Sequence, residues 1–158
     1  MSSSIIVVAR NINKIHKRDF KAGLVNLTQT LNVGVWFENR FKEPFEYQYD
    51  NTTINNLIFS ISDNFLFDNC EDLVTPWWYC NSNETVFEGN YARIQQILGY
   101  CLNNCEYVEL YLGTSGEDYD DFFHEEIALV DFINTIKMHY KTSPTYIPPS
   151  VHLTIQQL

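Results

Sequence analysis

The stretch YVELYLG, residues 107 to 113, constrains the fold most narrowly, because its side chains alternate in character from one residue to the next. The valine and leucine side chains fall on one side, and tyrosine and glutamate fall on the other. A period of two is typical of a β-strand with one buried face. We therefore expect a strand here, with Glu109 and Tyr111 on its accessible face.

Other segments carry either this pattern or the helical period of three to four residues. Strands are predicted at residues 4–10, 33–37, 45–49, 77–80 and 151–158, and helices at 17–32, 52–64, 90–102 and 127–141. An extended segment at 118–126 is expected to complete a hairpin with 107–113. The last strand, VHLTIQQL, is expected at an edge of the sheet.

The length of 158 residues suits one domain that buries its own core. We find no repeat, linker or composition shift that divides the chain. The prediction is a single α+β domain over residues 1–158, with a mixed or mainly antiparallel sheet and about four packed helices.

Cysteine usage and the opening residues bear on the compartment. MSSSIIVVAR has too short an apolar stretch for a secretory signal, and we expect a cytoplasmic protein. The four cysteines, Cys70, Cys80, Cys101 and Cys105, are then expected as reduced thiols that pack in the core. Cys101 and Cys105, four residues apart on a predicted helix, could alternatively share a ligand.

Charge narrows the range of partners. The formal net charge is −10, and residues 1–21 carry five Lys or Arg against one Asp, so that residues 22–158 carry −14. Such a surface repels nucleic acid and anionic lipid and attracts basic proteins. The basic start is interpreted as the solvated face of the first helix, and neither nucleic acid nor a membrane is expected as a partner.

The passage GTSGEDYDDFFHEE, residues 113–126, concentrates the acidic residues. It fails as an EF-hand calcium loop, because Phe122 and Phe123 occupy positions that require an oxygen ligand and a glycine. It fails as the zinc motif H-E-x-x-H, because Ala128 stands where the second histidine belongs. No metal and no cofactor are expected, although an unlisted carboxylate and histidine geometry stays open.

Catalytic signatures are equally absent from the sequence. GTSG lacks the spacing of a nucleophile elbow, and no phosphate-binding glycine motif occurs. The histidines at 16, 124, 139 and 152 are scattered, with no serine or cysteine beside them in a recognised arrangement. We predict that the protein is not an enzyme, with acid and base pairs from distant positions as the open alternative.

Aromatic residues among the carboxylates favour a protein-binding role. Tyr119, Phe122 and Phe123 lie within the acidic passage, where they offer apolar anchors beside charges that steer a basic partner. Trp77 and Trp78, adjacent on a predicted strand, would face opposite sides of the sheet, so that one of them could be exposed.

In its size, acidity, richness in asparagine and aromatic residues, and the run YVELYLGTSGEDYDDF, the chain resembles bacterial immunity proteins of contact-dependent growth inhibition and other polymorphic toxin systems. The resemblance is one of class and transfers no family residue. It implies a cytoplasmic inhibitor that binds one cognate toxin C-terminal domain, often a basic nuclease, and covers its active site or its substrate-binding surface.

On this hypothesis the acids take the place of nucleic-acid phosphates. The predicted partner-binding residues are Glu109, Tyr111, Glu117, Asp118, Tyr119, Asp120, Asp121, Glu125 and Glu126. Two alternatives stay open. One is a non-catalytic adaptor or scaffold whose partner pairs with the edge strand VHLTIQQL, and the other is a small metal-dependent enzyme.

Overall fold

The computed structural model describes residues 3–37, 55–61, 84–114, 122–141 and 151–157. In chain order the elements are β1 (Ser3–Ile12), α1 (Lys17–Leu31), β2 (Val35–Phe37), β3 (Leu57–Ile61), α2 (Glu84–Asn104), β4 (Cys105–Thr114), β5 (Phe123–Ala128), α3 (Phe132–Lys141) and β6 (Val151–Gln156). A short 3-10 helix, Leu129–Asp131, joins β5 to α3. The predicted α+β class is confirmed.

The strands form one mixed sheet of six, in the order β2-β3-β1-β4-β6-β5. All neighbouring pairs are antiparallel except β5 and β6, which run parallel. The two longest strands, β1 and β4, lie side by side at the centre, where every backbone group can pair. This arrangement matches the predicted mixed or mainly antiparallel sheet.

One face of the sheet, the helix face, packs against α1, α2 and α3. The three- and four-residue spacing of Phe20, Leu24, Leu27 and Leu31 predicts one apolar stripe on α1. This stripe is confirmed, because Phe20 and Leu24 are fully buried and Leu27 and Leu31 pack against the core. The strands supply alternate side chains to the same core, as a period of two requires. From β4 these are Val108, Leu110 and Leu112.

The opposite side of the sheet, called the second face here, carries its own apolar cluster. Its members are Ile6, Val8, Ile58, Tyr111 and Phe122. Burial on both faces explains why β1 is a continuous apolar run instead of an alternating one. The second face is therefore a buried environment in its central part, and polar groups that lie on it must find partners.

Asparagine shapes the chain turns of the described part. The non-glycine residues with positive φ there are Asn11, Asn32 and Asn55. Asn32 caps α1 in the left-handed region, with φ 57° and ψ 47°, and its backbone N–H donates to the Thr28 and Gln29 carbonyls. Asparagine tolerates this region better than most residues. Part of the asparagine richness thus has a structural role.

The helix predicted at 52–64 is wrong, because Leu57–Ile61 forms strand β3. A helix here would place Ile54, Leu57, Ile58 and Ile61 on one apolar face and leave Phe59 outside it. In the structure, Phe59 is fully buried on the helix face. Ile58 is buried on the second face. A short strand covered on both faces has no alternation, and its apolar run cannot be distinguished from a helix by period alone.

The hairpin predicted between 107–113 and 118–126 is also wrong. The C-terminal strand β6 lies between β4 and β5, so VHLTIQQL is an interior strand and not an edge. Val151, Leu153 and Ile155 of β6 are buried. The more polar β5 takes the edge instead, where charged side chains remain hydrated and oppose unwanted strand pairing.

The predicted helix at 127–141 begins later than expected, at Phe132. Ile127 and Ala128 still belong to β5, and a 3-10 turn follows them. Cys105 starts β4 rather than sharing a helix with Cys101. Because Leu57–Ile61 is a strand and not part of a helix, the described ranges contain three α-helices and not about four. None of these three helices is both long and apolar enough to cross a bilayer.

Two predicted strands, 45–49 and 77–80, lie outside the described residues. The same holds for Trp77 and Trp78 and for Cys70 and Cys80.

Replacement of Phe59 by alanine tests the reassignment of 57–61. Phe59 is a fully buried strand residue, and its ring centroid lies 5.9 Å from that of Phe37. Because the substitution leaves a cavity in the core, Phe59→Ala should lower the free energy of unfolding by roughly 3 to 5 kcal/mol. Urea denaturation measures this loss. Ser60→Ala, at the half-buried neighbouring position, is the matched control, and a loss below about 1 kcal/mol for Phe59→Ala would support the helical register instead.

Candidate functional site

The predicted partner-binding residues divide into three groups. Glu125 and Glu126 lie on the edge strand β5, where Glu125 is half-buried and Glu126 is exposed. Glu109 and Tyr111 lie on the central strand β4. The remaining five, Glu117, Asp118, Tyr119, Asp120 and Asp121, lie outside the described residues.

The expectation that Glu109 and Tyr111 occupy an accessible face is wrong. Glu109 is 7% exposed and Tyr111 is 2% exposed, both on the second face. The alternation of β4 was interpreted correctly as a strand, but its polar side is not open to solvent. A tyrosine and a glutamate can be buried together because the phenol O–H satisfies the carboxylate.

Glu109 is the centre of a polar network on the second face. Its Oε2 accepts a hydrogen bond from the Tyr111 hydroxyl at 2.9 Å. Its Oε1 lies 3.3 Å from Nε of Arg10, which donates from the neighbouring strand β1. The Arg10 side chain is only 17% exposed, so this ion pair is screened far less than a surface pair.

His152 extends the network onto β6. Its Nε2 lies 3.6 Å from Oε2 of Glu109, and its ring stacks on that of Tyr111, with centroids 4.2 Å apart and planes 12° from parallel. On the other side, its Nδ1 lies 2.7 Å from Nδ1 of His124 on β5. A chain of polar contacts thus runs from a buried carboxylate to an exposed imidazole.

The strand register explains why these groups meet. Tyr111 pairs with His152, and His152 pairs with His124, in one row across three strands. Glu109 lies two residues from Tyr111 and therefore faces the same side. No local sequence pattern contains this row, because its members come from three separate segments.

The electrostatics favour an ionised Glu109. Burial by itself raises the pKa of this carboxyl, but His152, Arg10 and the Tyr111 hydroxyl together lower it further, so the pKa of Glu109 lies below its ordinary value. The carboxylate is thus a permanent negative charge at neutral pH, held by the fold and not displayed to solvent.

The β5 edge and α3 form a second feature, the β5–α3 surface, consisting of residues 123–138. It contains three of the large apolar side chains that are exposed within the described ranges: Phe123 at 56%, Val130 at 76% and Met138 at 67%. Glu126 and Asp131 are exposed in the same range of the chain. Exposed apolar side chains that accompany charged residues are typical of protein-binding surfaces.

His139 connects the two elements of this surface, because it contacts two side chains of β5 from α3. On the helix face, Nε2 of His139 on α3 lies 3.0 Å from Oε2 of Glu125. The His139 ring meets that of Phe123 edge-on, with centroids 4.8 Å apart. Strand β5 is therefore held to α3 on one face and to β6 on the other.

The two described cysteines do not form a reactive centre. Cys101 and Cys105 are free thiols, both buried, as expected for thiols that pack in the core. Burial raises the pKa of Cys101 well above its usual range, and raises the pKa of Cys105 to about 12. Thiolates are the reactive form, so neither residue is suited to nucleophilic or redox chemistry at neutral pH.

Within the described ranges, no three His, Cys, Asp or Glu side chains come together in a way that could hold a metal ion. The shared contact of His124 and His152 is a hydrogen bond between two rings. The carboxylate of Glu109 faces the opposite nitrogen of His152, so these three groups do not converge on one point.

No protein-family model, curated protein or solved structure matches this chain.

Sequence reasoning missed Arg10, His124 and His152 as members of one site. Arg10 was grouped with the basic helix, and the histidines were interpreted as scattered. The sequence does contain one signal, which is the alternation of polar and apolar residues in two strands. The polar positions are Glu109 and Tyr111 in one strand and His152 and Thr154 in the other. Only the pairing of β4 with β6 brings them together.

Neutralising Glu109 tests the network. The pKa of Glu109 is lower in the folded state than in the unfolded state, where a glutamate has a pKa of about 4.3. The ionised carboxylate therefore stabilises the fold fully at pH values above the unfolded-state pKa. This stabilisation is lost as the pH falls through the lower folded-state pKa. Glu109→Gln should reduce the free energy of unfolding by roughly 1 to 3 kcal/mol near neutral pH. The difference from the wild type should shrink as the solution becomes more acidic than about pH 4.

Denaturant unfolding at several pH values measures this difference. The control is Glu126→Gln, which replaces an exposed carboxylate on β5 by a neutral carboxamide. This substitution should leave the free energy of unfolding unchanged near neutral pH. A Glu109→Gln deficit that stays constant into the acid range would contradict the lowered pKa.

Proposed function

We propose that this protein is an inhibitor of the immunity type, which binds a basic toxin domain through an acidic, partly apolar surface. The observation that carries the proposal is the β5–α3 surface, which begins at Phe123, two residues after the last acid of the segment 117–121. Phe123, Val130 and Met138 are exposed in this range, and Glu126 is exposed on the opposite face of the same edge strand from Phe123. Apolar anchors supply binding energy, and carboxylates supply steering and selectivity for a cationic partner.

The position of this surface follows from the topology. Within the described residues β5 is an edge strand, paired only with β6. The acids of segment 117–121 lie between β4, which ends at Thr114, and β5, which starts at Phe123, so that they directly precede the edge strand along the chain. The net charge of −14 over residues 22–158 adds long-range attraction for a basic domain.

The buried position of Glu109 and Tyr111 refines the predicted contact set. Both are committed to the network on the second face, and we assign them a supporting role, not a contact role. The proposed contacts are Phe123 and Glu126 on β5 and the acidic passage, Glu117 to Asp121. Glu125 is held by His139 and borders the surface.

The adaptor alternative required VHLTIQQL to be an edge strand, whereas this segment forms the interior strand β6. VHLTIQQL was to pair with a partner as an edge strand, but β6 is hydrogen-bonded to β4 on one side and to β5 on the other. A strand paired on both sides offers no backbone groups to a partner. Edge pairing, where it occurs in the described part, must use β2 or β5.

A pair of substitutions on β5 tests the proposed surface. The probe is a basic toxin C-terminal domain, which is taken from the neighbouring reading frame if that frame encodes a large secreted protein with such a domain. Phe123→Ala should weaken its binding by roughly tenfold or more, because an exposed aromatic anchor is lost. Glu126→Lys should slow association, and the effect should fade as salt screens the charge. Surface plasmon resonance at two ionic strengths measures both.

Asp19→Lys is the matched control, since it reverses an exposed acid on α1, outside the proposed surface, by the same two charge units. It should change association much less than Glu126→Lys. Equal effects of the two reversals would indicate attraction by overall charge alone, and unchanged binding by Phe123→Ala would remove β5 from the interface.

The acidic passage is tested separately by changing Asp118, Asp120 and Asp121 to lysine together. Association of the triple variant should be slower than that of the wild type, with a weaker dependence on salt. Protection of cells that express the toxin domain is the functional readout. Full protection and unchanged association would exclude the passage from the interface.

A further inference from the structure

The contact between His124 and His152 places two ring nitrogens unusually close. The Nδ1 atoms are 2.7 Å apart, and the rings meet edge to face at 85°. Two lone pairs, or two N–H groups, that faced each other at this distance would repel. The contact therefore requires a single proton between the two nitrogens, donated by one ring and accepted by the other.

The number of protons on the two rings determines whether this contact is preserved. When both rings are neutral, His152 can direct its Nε2–H toward Glu109 and accept at Nδ1 from His124. When the pair holds one additional proton, the outer nitrogens are both protonated and one proton still lies between the rings. A second additional proton places N–H groups on both facing nitrogens, and the contact cannot survive.

We propose that His124 and His152 form a proton-operated latch, which holds the edge strand β5 to β6 and opens when both rings become protonated. The latch is a property of the free protein and does not depend on the proposed toxin inhibition. Its consequence is that acidification loosens β5, the strand that carries Phe123, Glu125 and Glu126.

Charged and titratable groups face the pair from three strands. On β4, Glu109 faces Nε2 of His152, and Tyr111 stacks on the same ring. On β1, Arg10 contributes a positive charge to the same network. On β5, Glu126 lies two residues from His124 on the same face of the sheet.

The second histidine contact of β5 responds to acid in the opposite direction. His139 lies 3.0 Å from the Glu125 carboxylate on the helix face, and protonation of this ring strengthens the attraction. The sign of the pH response therefore distinguishes the two contacts. Acid opens the His124 contact and tightens the His139 contact.

Nitrogen NMR of the histidine rings tests the shared proton directly. In the wild type near neutral pH, we expect a scalar coupling between Nδ1 of His124 and Nδ1 of His152 through the hydrogen bond. The coupling should disappear as the pH is lowered through the range in which histidines become charged, about pH 8 to 5. Absence of the coupling at every pH in this range would overturn the proposal.

Hydrogen exchange tests the consequence for β5. The opening constant of the amides in residues 123–128, corrected for intrinsic exchange, should rise as pH falls, by up to about tenfold per pH unit for one linked proton. His124→Asn, which keeps a polar group near the Nδ1 position and cannot be protonated, should lose this dependence. Amides of β1 and β4 in the same samples serve as the internal reference.

Two further variants complete the design. His139→Asn should make the acid opening of β5 steeper, because it removes the contact that acid strengthens. His16→Asn, an exposed histidine before α1, should change nothing. If His124→Asn keeps the wild-type pH dependence, or if His139→Asn alone abolishes it, the latch is refuted.

Discussion

The burial of Glu109 in the central strand is the constraint on which the second face depends. A carboxylate that is 7% exposed is tolerated only when charged and polar partners replace its water. Arg10, Tyr111 and His152 provide that replacement from three adjacent strands. The network therefore specifies the neighbours of β4: a strand with an arginine on one side and a strand with a histidine on the other.

The same network links the interior to the edge of the sheet. From Glu109 the contacts continue through His152 to His124, which is exposed on β5. On the opposite face, Glu125 and His139 connect β5 to α3. The edge strand is thus held by side chains on both of its faces as well as by its backbone pairing with β6. Strand β5 is therefore not held to the sheet by backbone hydrogen bonds alone.

The sequence-based prediction succeeded where the local pattern coincides with burial. The α1 stripe of Phe20 and Leu24 and the alternation of β4 were interpreted correctly because each element buries the side that its period indicates. It failed at β3, where Ile58 and Phe59 are buried on opposite faces and the period vanishes. It failed again at β5, because two strands adjacent along the chain need not be adjacent in the sheet.

By itself, the sequence determined the α+β class, the helical character of α1 and α2, the strand at β4 and the acidity that favours a basic partner, because periodicity and charge are local properties. Only the tertiary structure decided that β6 separates β4 from β5, that Glu109 and Tyr111 are buried, and that three scattered residues, Arg10, His124 and His152, belong to one network. The physical reason is that strand order is chosen by the burial of whole faces. Burial inside the sheet stabilises the fold more through Val151, Leu153 and Ile155 than it would through the polar residues of β5. This difference depends on both strands, so it cannot be derived from either segment alone.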